Sequence, residues 1–292
     1  MDFSQNMHLG AGVYTLGKDK DLWGARHLRR VVQIVADGAR KPLKDLRVLD
    51  LACLEGVFAI EFARQGAEVV AIEGREANIE KVRFVKELLS LDNLSLAQDD
   101  VRNLSANTHG YFDVVLCLGI LHHLDMPDAI LFLEKIFDVC RDFAIIDTHV
   151  SMTPERRYVY NGCEYWGKTY IEHTATSSPD EKADALWASL EDPESFWFTQ
   201  ASLINALQDV GFTPIHRCLT PRTYLGHDRI TLLAIKGVQQ PLFSFPKATD
   251  WIDPLGRWPE RPMFLSLMLK TAIRIGRLVP QTIKEKFIRF IH

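Results

Sequence analysis

Val48-Leu49-Asp50-Leu51-Ala52-Cys53-Leu54-Glu55-Gly56 is an apolar run that ends on an acid and a short turn. From Gly56 to Arg64 the apolar residues recur at helical spacing, and Gly66 stops them. A short aliphatic run followed by a tight turn and a 3.6-residue period reads as strand, turn and helix. The same alternation continues downstream. Glu68 to Glu73 (EVVAIE) is a second strand, Glu76 to Ser90 an amphipathic helix, and Leu94 to Gln98 (LSLAQ) a third strand. Phe112 to Leu118 is a fourth strand, Pro127 to Arg141 a helix, and Phe143 to His149 a fifth strand. Strands that alternate with helices across short turns build a doubly wound, mostly parallel α/β sheet. The strands are almost wholly apolar, as expected when both faces are covered.

Upstream, Leu22 to Arg40 reads as an amphipathic helix that ends before Pro42. Downstream, 150–197 loses its periodicity and is dense in Tyr and Trp, with one helical segment near 179–190. A connection this long is expected to be functional, here a substrate lid. A helix at Thr199 to Val210 and strands at Thr213 to Leu219 and Arg229 to Gly237 then complete a seven-stranded sheet. The expected division is 1–45, a cover segment with a helix; 46–149, a nucleoside-binding core; 150–197, the insertion; 198–237, completion of the sheet; and 238–292, a helical, basic amphipathic extension.

Bulk properties narrow the function classes. The chain has 292 residues, 47% hydrophobic and 25% charged, within the range of ordinary globular proteins. Five cysteines with no C-x-x-C pair fit a reducing compartment rather than a disulfide framework, and no metal site is expected. No signal-peptide order or 18-residue apolar run occurs, so a cytoplasmic protein is expected. The net charge of −4 divides unevenly: residues from 261 onward carry +6 and the rest −10. Nucleic acid is therefore not the expected partner. Peripheral contact with the inner membrane face through 262–292 is an option, as is homo-oligomerisation.

The strand ends carry the chemistry. The turn after the first strand opens a helix whose free amides suit a carboxylate or phosphate. Glu73, at the end of the second strand, is placed to accept from ribose hydroxyls. Asp99-Asp100 follows the third strand, where an acid meets an adenine amino group. Gly119-Ile120-Leu121-His122-His123-Leu124 follows the fourth, at the mouth of the crevice. Together these segments resemble the class I S-adenosylmethionine-dependent methyltransferases, over about 46–149. The resemblance implies a Rossmann-like fold with S-adenosylmethionine as cofactor. It assigns donor binding to Asp50, Ala52, Gly56, Glu73, Asp100, Val101 and Gly119, and makes His122 and His123 the candidate catalytic bases. His149, on the same rim, is a second candidate. The family's glycine-rich turn is reduced here to Gly56, with Ala52 and Leu54 at the other positions. Leu54 argues against a left-handed backbone there.

The implied function is methylation, O-methylation first, of a small or medium acceptor such as a sugar, a lipid-linked compound or a natural product. Three alternatives stay open: a tRNA wobble-uridine-type methyltransferase, a non-catalytic donor-binding protein, and an NAD-dependent oxidoreductase. Tyr14 and Trp23 are candidates to cover the donor.

Overall fold

The computed structural model describes residues 2–174, 176–178, 181–182, 185–218, 228–238, 257–258 and 260. Its centre is the expected sheet. The strands are β3 (Arg47–Leu51), β4 (Glu68–Glu73), β5 (Leu94–Gln98), β6 (Phe112–Leu118), β7 (Cys140–His149), β11 (Ile215–Cys218) and β12 (Arg229–Ile235). They lie in the order β11-β12-β7-β6-β3-β4-β5. β3 pairs in parallel with both β4 and β6, whereas β12 runs antiparallel to both β7 and β11.

The apolar pattern explains the layering. Successive strand residues face opposite sides. Leu49, Val115, Cys117, Ala144 and Ile146 pack on one side, beside α4 (Asp128–Val139) and α5 (Gln200–Asp209). Val48, Val114, Leu116, Phe143 and Ile145 pack on the other, beside α1 (Leu22–Gly38), α2 (Val57–Arg64) and α3 (Glu76–Leu88). Each fully buried aliphatic or aromatic side chain contributes roughly 1.5–3 kcal/mol. The double-sided core therefore holds the strand ends, and the loops on them, in fixed register.

Three expectations change. The insertion, expected as an aperiodic stretch with one helical segment, carries strands. β8 (Arg156–Tyr160), β9 (Cys163–Ile171) and β10 (Glu194–Phe198) form a separate antiparallel sheet in the order β10-β9-β8. β10 ties it to the core through the Phe196 N–H, which donates to the Leu124 carbonyl at 2.9 Å. Strand periodicity is hidden there because aromatic residues occupy both faces. The helix expected near 179–190 falls partly outside the described residues, and 185–190 is turn and irregular structure.

Ahead of α1, β1 (His8–Gly10) and β2 (Val13–Tyr14) form an unforeseen hairpin. Tyr14 packs on His8, 4.8 Å between ring centroids, and is not among the residues that line the cavity at the sheet's carboxyl edge. The Trp23 side chain lies outside the described residues.

The extension begins by packing on its own domain. Asn205 Nδ2 donates to the Trp258 carbonyl at 3.0 Å, and the Trp258 N–H returns a bond to Asn205 Oδ1 at 2.7 Å. Arg257 bonds Asp209, while Thr199 and Ser202 donate to Glu260. The segment 262–292, with its proposed membrane contact, lies outside the described residues. No described helix is long and apolar enough to cross a membrane.

Candidate functional site

The chain winds from β3 outward to β4 and β5, then returns to β6 on the other side of β3. A crevice opens at such a reversal, beyond the carboxyl ends of the strands. Here a cavity of about 270 Å³ is lined by Ala52 and Leu54 after β3, Glu73 to Arg75 after β4, Asp99 to Arg102 after β5, and Leu118 to His123 after β6.

The turn after β3 is wound left-handed at three alternate positions: Ala52 (φ 52°), Leu54 (φ 51°) and Gly56 (φ 79°). The expectation for Leu54 is thus overturned. Glu73 supplies the compensation: its Oε2 accepts from the Leu54 N–H at 2.9 Å, and its Oε1 from the Arg75 N–H at 2.9 Å. A left-handed conformation costs a non-glycine residue about 1–2 kcal/mol. Ala52→Gly is therefore expected to leave the fold intact and raise stability by up to about 1 kcal/mol in urea unfolding. A clear loss of stability would show that Ala52 is unstrained.

Gly56 and Asp50 lie behind the cavity wall. A Cβ on Gly56 would sit 2.8 Å from a Val82 methyl, so this glycine lets α2 approach α3. Asp50 is buried, and its Oδ2 accepts from the Ala59 N–H at 3.0 Å inside α2. Burial, with the nearby Glu73 carboxylate adding to it, pushes the Asp50 carboxyl up to about 7 against the Ala59 bond. These two residues shape the turn after β3 from beneath. Ala52, Glu73, Asp100, Val101 and Gly119 line the cavity itself.

Beside β5, Asp100 accepts from Arg102 three times: at Oδ1 from the backbone N–H (2.8 Å) and at Oδ2 from Nε (2.9 Å) and Nη2 (2.6 Å). Burial works to raise the Asp100 carboxyl, but the Arg102 bonds outweigh it and hold the group below its ordinary range. Asp99 lines the same cavity and spends Oδ1 on the Asp100 N–H and on Asn103.

Both histidines reach the cavity, with different surroundings. His122 is buried, with Nδ1 3.1 Å from Thr148 Oγ1. Burial, then the charges of His123 and His149, push it well below its usual value, so it is neutral. His123 places Nδ1 3.0 Å from both carboxylate oxygens of Glu172, just beyond β9. His149 Nδ1 is 3.5 Å from Asp228 Oδ1, and its ring stacks on Trp197 at 4.8 Å. Tyr170 stacks on Trp197 as well, at 4.5 Å.

The buried His122 gives a pH dependence. Unfolded, it takes up a proton near pH 6.5; folded, it resists. The unfolded chain binds more protons below that point, so this contribution to stability is complete above pH 6.5 and is lost as pH falls. Asp50, raised to about 7, acts oppositely over pH 4–7. Urea unfolding at pH 5 and pH 7 is expected to show His122→Gln losing less stability on acidification than the wild type. Asp50→Asn is expected to lose more. Parallel curves for all three would refute both assignments.

A strap from the insertion closes the top. Arg75 Nη2 donates to the carbonyls of Ala185 and Ala188, each at 2.9 Å. Arg102 reaches Asp192 at 3.6 Å and Glu191 at 3.8 Å. Leu190 lies over Gly74, where a Cβ would be 2.4 Å from Leu190 Cδ1. On the opposite rim Arg229 lines the cavity, held by Asp147, which Thr231 and His27 also engage.

Several of these residues escape sequence reasoning. Arg75 and Arg102 lie near predicted acids but meet the strap from 89 or more positions away. Glu172 has no local motif. Glu55 does sit inside the first turn: fully buried, it accepts from the Ser4 and Gln5 N–H groups and from Lys81 Nζ, pinning the N-terminal segment behind the turn. The 26-residue spacing to a lysine on a helix gave no signal.

Comparison with known proteins agrees with this arrangement. Residues 48–142 match the family model described as a methyltransferase domain. Over these residues, about a third of the chain, it is similar to S-adenosylmethionine-dependent methyltransferases of class I. It is 32% identical over 85 residues to the ubiquinone biosynthesis O-methyltransferase of Acinetobacter baylyi, covering 29% of this chain and 36% of that protein. For the protein of the same name from Xanthomonas oryzae pv. oryzae the identity is 33% over 105 residues, 36% of this chain and 44% of the relative. The chain thus spans less than half the length of these relatives. The N-terminal domain of EvdMO1, crystallised in the presence of SAH (S-adenosylhomocysteine) and D-fucose, superposes with a TM-score of 0.57 at 26% identity, over 75% of this chain and 84% of that one. Magnesium protoporphyrin IX methyltransferase from Synechocystis PCC 6803, with SAM (S-adenosylmethionine) bound, shares the fold at 19% identity and a TM-score of 0.50, over 76% and 86%.

The residues present fit this donor. Glu73 closes the β4 end with a carboxylate whose lone pairs exceed its three recorded donors, Leu54, Arg75 and Asn78. Val101 offers an apolar surface next to Asp99 and Asp100.

Proposed function

We propose that this protein is an S-adenosylmethionine-dependent O-methyltransferase acting on a small or medium-sized acceptor, with a sugar, lipid-linked or natural-product hydroxyl as the substrate class. One observation carries the reading: a single cavity is lined on one side by Ala52, Glu73 and Val101 and on the other by His122, His123 and the aromatic insertion. Donor-side and acceptor-side groups thus share one enclosed space.

When bound, S-adenosylmethionine supplies a methyl group already activated by its positive sulfonium, so that transfer to a hydroxyl leaves S-adenosylhomocysteine and releases the hydroxyl proton. Glu73 holds the ribose, and Asp100 with Val101 the adenine. The strap over Gly74 excludes water, which strengthens every polar interaction beneath it. Alignment of acceptor and donor contributes on the order of 7–11 kcal/mol. His123 takes the proton.

The test is calorimetry with S-adenosylhomocysteine and NAD, followed by transfer of labelled methyl from S-adenosylmethionine to a panel of sugar and phenolic hydroxyls. Binding of S-adenosylhomocysteine without NAD, and label in an acceptor, are expected. No binding would overturn the donor assignment. NAD binding would favour an oxidoreductase, and donor binding without transfer to any hydroxyl a non-catalytic role. Labelling of tRNA alone would move the substrate class to nucleic acid. Peripheral membrane contact through 262–292 is part of the proposal; flotation of the full chain with anionic liposomes, but not of a chain ending at residue 260, is its expected result.

A further inference from the structure

We propose that Glu172 is a positioning residue that fixes the ring of His123 with its Nδ1 protonated, leaving Nε2 as the atom that receives the acceptor's proton. This rests on the function proposed above. The geometry comes first. Both Glu172 oxygens lie 3.0 Å from His123 Nδ1, and the Glu172 side chain is 1% exposed. Two further groups donate to the same carboxylate: Ser195 Oγ to Oε1 at 2.6 Å and the Ser189 N–H to Oε2 at 3.0 Å. Burial works to raise the Glu172 carboxyl, but His123, Ser195 and Ser189 outweigh it and hold it below its ordinary range. Glu172 is therefore ionised near neutrality, and an ionised carboxylate only accepts hydrogen bonds. The contact then requires a proton on Nδ1. A neutral ring so bound has its lone pair on Nε2. The same logic holds a catalytic imidazole in its working tautomer in serine proteases.

His122 does not share this arrangement. Its Nδ1 lies 3.1 Å from the Thr148 hydroxyl and accepts from the His149 N–H at 3.4 Å, so its ring carries the proton on Nε2, the tautomer opposite to that of His123. The charged and titratable groups around the pair are His122, His149 with Asp228, and Arg229 with Asp147. Of these carboxylates, Glu172 alone touches His123 among the described contacts.

Its three partners also come from three parts of the molecule. His123 belongs to the loop after β6, Ser195 to β10, and Ser189 to the strap. The insertion therefore does more than cover the site; it orients the residue that accepts the proton.

The experiment is ¹⁵N NMR of histidine-labelled protein at pH 7.5–8.5, with His123 assigned through His123→Asn. Unsubstituted protein is expected to show His123 in the Nδ1–H form. Glu172→Gln keeps an oxygen for Ser195 and turns an N–H toward Nδ1, so the ring is expected to change to the Nε2–H form. Methyl transfer to the acceptor found in the panel is expected to fall about 100-fold or more, with S-adenosylhomocysteine affinity within about twofold of the wild type. Glu172→Asp, which restores an acceptor-only group, is expected to return the Nδ1–H form. An Nδ1–H ring that persists in folded Glu172→Gln protein would overturn the proposal, and so would an Nε2–H ring in the unsubstituted protein. If the unsubstituted protein fails to bind S-adenosylhomocysteine, the function itself falls, and that result is separate from the tautomer.

Discussion

Glu73→Ala is expected to abolish S-adenosylhomocysteine binding and to lower stability by about 2–5 kcal/mol. The carboxylate is buried and accepts from the N–H groups of Leu54 and Arg75, with Asn78 Nδ2 at 3.3 Å. Alanine leaves these donors without their acceptor, at roughly 1–3 kcal/mol for each that water cannot reach. The Leu54 bond also holds a residue whose φ of 51° is unfavourable, so the turn itself is expected to relax. One substitution thus removes the ribose acceptor and reshapes the wall beside it. Glu73→Gln retains one oxygen and is expected to lose much less stability while still weakening the ligand. Calorimetry and thermal unfolding of both variants check this, with a fall of roughly 5–15 °C expected for alanine. An alanine variant that binds within threefold of the wild type would remove Glu73 from the donor site.

Gly56→Ala carries the second large effect. Its Cβ would lie 2.8 and 2.9 Å from the two Val82 methyls, at a φ of +79°. Overpacking contributes about 1–3 kcal/mol and the left-handed backbone about 1–2 kcal/mol. The two parts separate in a double-mutant cycle. Val82→Ala makes room for the new methyl but leaves the backbone strain. The pair is therefore expected to be more stable than the sum of the single changes predicts, by about 1–3 kcal/mol. Strict additivity in urea unfolding would show that α2 and α3 separate without cost and that Gly56 serves only the turn.

The core was legible because its signals are local. Strand periods, turn glycines and the acids Glu73 and Asp100 each follow from a few adjacent residues, and the cavity forms where their order places it. The turn was read less well. Leu54 counts against a left-handed backbone as a residue type, yet Glu73, nineteen positions on, holds its N–H and compensates. Asp50 at a strand end reads as ligand-facing, but a strand's last inward position is also where a carboxylate reaches the next helix, here at Ala59. The insertion was the least legible part. Its strands pair with each other rather than with the main sheet, and its aromatic residues face both sides. Glu172 acquires its meaning from His123, forty-nine residues away, a distance over which no spacing rule operates.

The two arginines that grip the strap have a wider consequence. Arg75 sits two residues past Glu73, which ends β4, and Arg102 two residues past Asp100, in the connection that follows β5. Arg75 grips the strap through its main-chain carbonyls, which any sequence can offer. They are sockets on a common chassis, into which insertions of different composition can plug. Grafting another acceptor-recognising segment at 150–197 would preserve donor capture as long as its backbone meets Arg75 and it carries an acid for Arg102. Acceptor choice in this scaffold is then a replaceable part rather than a property of the sheet.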